Sequence, residues 1–203
     1  PTRRSSDLVA QTGAGPRSAV CAWLEQTRAM AIEPLVEELR WLHRRDFSRR
    51  WREALELEAG DSAKAAGTSE AARYAARELP VLARKFFKRG RCAAAVDVPA
   101  AALHQFRLAA KRFRYVIELF RPVYGPGLTA RLAALRAMQR HLGEVSDCAT
   151  ACELLGQAPE QVARAAALAT RRIEALNQRR ARAFRLYWKR NFDSPLRERN
   201  WIS

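Results

Sequence analysis

The chain has 203 residues, 48% hydrophobic and 29% charged, which fits a soluble globular protein built as one large domain or two small ones. Lys and Arg total 37 against 21 Asp and Glu, a formal net charge of +16 and a sequence pI near 11.0. A negative partner is therefore expected: nucleic acid, an anionic membrane surface or a polyphosphate chain. A high-GC genome that writes Arg wherever Lys would serve gives the same composition with no partner. Apolar stretches are broken by Arg every few residues, so no membrane span is expected, and no signal peptide is visible. Cys21, Cys92, Cys148 and Cys152 show neither a disulfide framework nor metal spacing, and read as free, mostly buried thiols in a reducing cytoplasm.

The chain opens on PTRRSSDL, with no Met. That octapeptide looks like a translated sequencing-library adapter, a trimmed basic tail being the alternative, so residues 1–8 are set apart from the fold as non-native. Arg3 and Arg4 accordingly receive no functional weight. From there the 3.6-residue period dominates and no stretch alternates like a strand. Ser18 to about Leu42 reads as a helix with a kink at Pro34, and FSRRWREALELEA as a second helix ended by Gly60. GDSAKAAGTS is a small-residue linker and the best internal boundary.

Ser69 is placed to cap a helix running to about Arg89, bent near Pro80 and stopped by Gly90. Pro99 suits the first turn of the next helix, which carries HQFRLAAKRFRY. After the turn cluster RPVYGPG, residues 128–142 form a helix that Gly143 ends, and Ser146 or Asp147 caps a short helix to Leu155. Beyond Pro159 a long helix runs to about Arg190. About seven helices and no sheet predict an all-α fold of antiparallel helical bundles. Phe47-x-x-x-Trp51 and Phe184-x-x-x-Trp188 each follow an Arg-rich approach, a faint echo between two parts of the chain.

HQFRLAAKRFRY concentrates the charge. At about 100° per residue, His104, Arg107, Lys111 and Arg114 fall within an arc of about 80°, while Leu103, Phe106, Ala110 and Phe113 occupy another flank. Like charges three and four residues apart cost an isolated helix a few tenths of a kcal/mol per pair (about 0.2–0.5). A merely solvated face usually mixes in carboxylates, and here only Glu118 shares the flank. The stripe therefore reads as a polyanion-binding surface.

LHQFRLAAKRFRYVIELF followed by LRAMQRHLGEVSDCATACELL resembles the CHAD family, the conserved-histidine α-helical domain. The family pattern is met by His104, Arg107, Lys111, Arg114 and Tyr115 on one helix, then by Gln139, Leu142, Gly143 and Asp147 on the next. The resemblance covers about residues 70–190 well and 18–60 loosely. It implies two four-helix bundles, related by duplication, that face a basic cleft. It also implies binding of inorganic polyphosphate, no catalysis, no cofactor or metal, and a cytoplasmic protein associated with polyphosphate granules. No first-half copy of the His-Arg motif is present. Residues 9–60 thus read as a remnant of the first bundle and 61–203 as the second, in an N-terminally incomplete chain.

Within that reading His104, Arg107, Lys111 and Arg114 are the polyphosphate-binding residues. His104 adds an ionisable member to the row, its proton disfavoured by neighbouring cations and favoured by a bound polyanion, so tighter binding is expected at pH 6 than at pH 8. Tyr115, Gln139, Gly143 and Asp147 are structural: Tyr115 packs at the stripe's edge, Gln139 hydrogen-bonds inside the bundle, and Asp147 caps a helix or orients an Arg. Arg84, Lys88, Arg112, Arg136 and Arg140 form a second set that could extend the cleft, although a scattered basic surface explains them as well. Non-specific RNA or DNA binding is the runner-up, despite the lack of a helix-turn-helix signature, zinc spacing or aromatic platform. A module for an acidic protein face is a third reading. An enzyme is not expected, since no P-loop, nucleophile elbow or metal-binding His pair is present.

Overall fold

Apolar residues recurring every three or four positions make helices that must bury one stripe each, and the structure resolves how they pair. The computed structural model describes residues 3–14, 18–58 and 68–202, and every regular element in them is helical. The elements are α1 (Arg3–Val9) with a wide turn (Ala10–Ala14), α2 (Ala19–Arg44), α3 (Phe47–Glu58), α4 (Thr68–Ala93) and α5 (Ala100–Leu119). There follow α6 (Arg121–Tyr124) with a 3₁₀ turn (Gly125–Leu128), α7 (Thr129–Leu155), α8 (Glu160–Asn191) and α9 (Pro195–Ile202). None of the helices in the described residues is long and apolar enough to cross a membrane.

The antiparallel pair α7 and α8 is the spine, and it serves two cores. One core joins Phe86 and Phe87 of α4, Phe106 and Phe113 of α5, Leu135, Met138 and Leu142 of α7, and Phe184 and Trp188 of α8. Trp188, Phe87 and Phe184 are essentially fully buried, and each such side chain contributes about 1.5–3 kcal/mol by leaving water. The other core joins Leu8 and Val9 of α1 and Val20, Cys21 and Leu24 of α2 to Cys148, Ala151 and Leu155 of α7 and Ala166, Ala169 and Ile173 of α8. The boundary placed at residues 60/61 lies in an undescribed segment, and the second core joins residues from both sides of it.

Ser18 caps α2, its Oγ accepting from the Cys21 N–H at 3.3 Å. α2 then runs through Pro34, and α4 runs through Pro80, without ending. Past Leu24, α2 leaves the core: Met30, Leu35, Leu39 and Trp41 are exposed, as are Phe47 and Trp51 on α3. The two helices form an arm, turned at Asp46, which takes a left-handed φ of 49°. Gly60, the linker and the side chain of Ser69 lie outside the described residues.

Several sequence expectations are corrected. Gly90 does not stop α4, which continues to Ala93; a Cβ there would come within 1.9 Å of the Trp188 ring, so Gly90 is where α4 and α8 close on each other. Gly143 does not end a helix either. Thr129–Leu155 is one continuous helix, and neither Ser146 nor Asp147 is a cap. Of the cysteines, Cys92 is exposed, Cys152 is half-buried, and Cys21 and Cys148 are buried. The octapeptide set apart at the N-terminus contributes to α1, where Ser5, Ser6 and Leu8 are buried. Pro195–Ile202, absent from the sequence reading, forms α9 and brings Trp201 against Phe87, Phe113 and Phe192.

An arginine-lined cleft as the candidate functional site

Helices α5, α7 and α8 turn their polar flanks toward one another because their apolar stripes meet in the core behind. Between those flanks lies a cleft of about 620 Å³. Arg107 and Arg114 enter from α5, Arg136 and Arg140 from α7, Arg180 from α8, and Arg4 from α1, which corrects the expectation that Arg4 carries no weight. Arg107 and Arg114 are two turns apart on α5, and Arg136 and Arg140 are one turn apart on α7. The fork of each guanidinium suits an oxygen-rich anion.

Glu118 organises one wall. Its Oε1 accepts from Arg114 Nη1 of its own helix at 2.7 Å and from Arg136 Nη2 across on α7 at 2.8 Å. The hydrogen bond from Arg136 is the main cause that holds the Glu118 carboxyl below the usual value, with Arg114 adding to it against the opposing effect of burial. Arg114 is 17% exposed, its guanidinium lies 4.5 Å over the Tyr115 ring, and its Nε is buried without a hydrogen-bond partner. Arg107 and Arg140, by contrast, have no carboxylate partner among the described residues. They are the guanidinium groups most available to a ligand.

The floor is set by α7. Gln139 donates from Nε2 to the Ala110 carbonyl at 3.0 Å, the cross-bundle bond expected of a polar residue in an apolar arc. Next comes Gly143, where a Cβ would meet nothing within 4 Å, so bare helical backbone faces the opening. Arg180 donates from Nη1 to the Glu144 carbonyl at 3.1 Å and lies 3.2 Å from Cys148 Sγ. Burial pushes the Cys148 thiol up and the Cys152 thiol to about 11, so both stay protonated and unreactive at neutral pH. Asp147 accepts from Arg4 at 2.9 Å, so its partner is an Arg of α1.

The structure splits the predicted stripe. Arg107 and Arg114 line the cleft. Lys111 is not part of its lining, and the exposed His104 lines a separate, smaller depression of about 330 Å³ with Leu142, Ser146 and Glu153. Tyr115 is corrected from packing to exposure: it is 53% exposed and carries Arg114 on its face. From the second set, Arg136 and Arg140 line the cleft, whereas Arg84, Lys88 and Arg112 are exposed outside it. Arg180 escaped the sequence reading; within its Arg-rich run, no local signal separates the residue that faces the cleft from its neighbours. Among the described residues no group of three His, Cys, Asp or Glu is placed to hold a metal ion.

Fold and site together define a class: an all-α bundle protein with an arginine-lined cleft across its two longest helices and the helix packed on them. The family model of the CHAD domain matches residues 4–156, that is 153 of the 203 residues. The chain belongs to the CHAD family. The match extends further toward the N-terminus than the motif resemblance does, and it ends at α7, so Arg180 lies beyond it. No curated protein and no solved structure matches the chain.

Proposed function

We propose that the cleft binds inorganic polyphosphate and does so without catalysis. The observation that carries this reading is the convergence of six arginines from four helices on one open cleft whose lining includes no aromatic side chain. A flexible chain with about one charge per phosphate rewards a row of guanidinium donors, and affinity comes from charge-assisted hydrogen bonds and counterion release. Nucleic acid offers the same phosphates, but single strands gain much of their affinity from base stacking on aromatic faces. Tyr115, outside the lining, already carries the Arg114 guanidinium on its face. Gly143 lets the chain lie against the α7 backbone, and His104 meets only a chain that extends past the cleft. The same reading places the protein at polyphosphate granules.

The test is a competition at near-physiological salt. Labelled long-chain polyphosphate on the full chain is challenged with single-stranded RNA at matched phosphate concentration. Arg107→Ala/Arg140→Ala runs alongside, chosen because neither side chain has an ion pair to lose. Poor competition by RNA, with a loss of more than about tenfold in polyphosphate affinity and an unchanged melting temperature in the variant, is the expected result. Equal competition and an unaffected variant would mean bulk charge alone is at work and would remove the cleft from the account.

A further inference from the structure

α8 has a second basic face that the cleft does not use. Between Glu174 and Asp193 it carries Arg179, Arg180, Arg182, Arg185, Lys189 and Arg190 and no carboxylate. At about 100° per residue, Arg182, Arg185 and Lys189 lie about 140–200° around the helix from Arg180, on the side away from the cleft. Two adjoining depressions, of about 670 and 500 Å³, flank this row, and Arg182 and Arg185 line both. Arg179 lines the first and Lys189 the second, with Asp97 and Asp193 as the carboxylates at their edges. None of Arg179, Arg182, Arg185 and Lys189 has an ion pair or side-chain hydrogen bond among the described residues.

Two structural explanations would make the row unremarkable, and neither covers it. Cations near a helix C-terminus complement its dipole, but that effect fades beyond the last turn, which holds Lys189 and Arg190 and excludes Arg182 and Arg185. A solvated helix face normally intersperses acids at three- or four-residue spacing, and here Arg182 and Arg185 have none at either spacing on α8. On α8 itself no acid offsets the mutual repulsion of the row, and like Arg107 and Arg140 in the cleft its members have no ion pair among the described residues.

We propose that Arg182, Arg185 and Lys189, with Arg179 beside them, form a second phosphate-chain site on the far side of α8, so that one molecule holds two polyphosphate segments and bridges them. This rests on the polyphosphate reading of the cleft. The two sites stand on opposite faces of one helix, about 10–12 Å across with its side chains, and a short chain bound at one does not occupy the other. Bridging is then a property of the single molecule and needs no oligomer.

Titration calorimetry with short-chain polyphosphate on the full chain reads the stoichiometry directly. Two chains per molecule are expected for the wild type. Arg182→Ala/Arg185→Ala/Lys189→Ala and Arg107→Ala/Arg140→Ala should each retain one, with unchanged melting temperatures. With long chains, light scattering should report large assemblies for the wild type and their loss in either variant. One chain per wild-type molecule, unaltered by the α8 variant, overturns the second site and leaves the cleft standing. Loss of all binding in the α8 variant, with the cleft variant unaffected, overturns the cleft reading instead and bridging with it. Equal displacement of the second chain by RNA at matched phosphate overturns the assignment of this row to polyphosphate.

Discussion

Phe47 and Trp51 on α3 share their spacing with Phe184 and Trp188 on α8, and both pairs follow an Arg-rich approach, yet their surroundings are opposite. The α3 pair stacks on itself at 6.0 Å, with Phe47 49% and Trp51 57% exposed. The α8 pair is 0% and 1% exposed, with Trp188 against Phe86, Phe87, Phe106 and Phe192. Two aromatics one turn apart specify a sticky helix face and nothing more. What converts that face into a core is the arrival of other helices. α4 and α5 reach Trp188, and among the described residues no third helix covers the face of the α2–α3 arm that bears Trp51.

The largest effect should come from the contrast itself. Trp188→Ala removes a fully buried indole and should cost about 3–5 kcal/mol, whereas Trp51→Ala should stay within about 0.5 kcal/mol, as surface changes do. Denaturant unfolding of both variants measures the gap; similar costs would mean that the arm is packed in solution. A second contrast lies in two helical glycines. Gly90→Ala drives a methyl into the Trp188 ring and should cost about 1–3 kcal/mol. Gly143→Ala meets open space and should stabilise α7 by about 0.5–1 kcal/mol, since Gly is a poor helix former. Thermal melts that show the same sign for both would refute the placement of one of them.

The smallest effect concerns ion pairs. Arg49 on the arm links Asp46 and Glu53 within one turn and one helix, while Glu118 joins α5 to α7. Because the folded state holds the Glu118 carboxyl below its ordinary value, its stabilisation is fully present above the unfolded value of about 4.3. It is lost as the pH falls through the lowered folded value. The stability gap between wild type and Glu118→Gln should therefore be flat from pH 8 to 5, small at about 1 kcal/mol or less, and should close only in stronger acid. A gap that changes between pH 8 and 5 would show that Glu118 titrates with another partner.

Much of this was legible before the helices were assembled. The helical class, the long final helix ending near Arg190, Pro99 at the entry of α5 and the inward Gln139 all follow from local periodicity and turn chemistry. The CHAD motif was likewise readable from residue types and spacing. The misreadings share a cause. Gly90 and Gly143 read as stops because Gly is a poor helix former, but packing around a helix outweighs about 1 kcal/mol of propensity. α9 is short and weakly amphipathic, and only the site that receives Trp201 gives it a reason to form. His104 and Arg107 share a flank of α5, but neighbouring positions on α7 divide that flank into two depressions.

By itself, then, the sequence determined what one helix can know: its period, its caps, its charged flank, and the excess of cations. It also determined that Arg107 and Arg114 would face one way while Phe106 and Phe113 faced another. Only the tertiary structure decided that Arg180, 66 residues beyond Arg114, completes the same cleft, that Glu118 ties Arg114 to Arg136, and that Trp188 is core while Trp51 is surface. The physical reason is the reach of the interactions. Helix periodicity and capping act over three or four residues, whereas desolvation and charge convergence depend on which distant helices come to lie alongside.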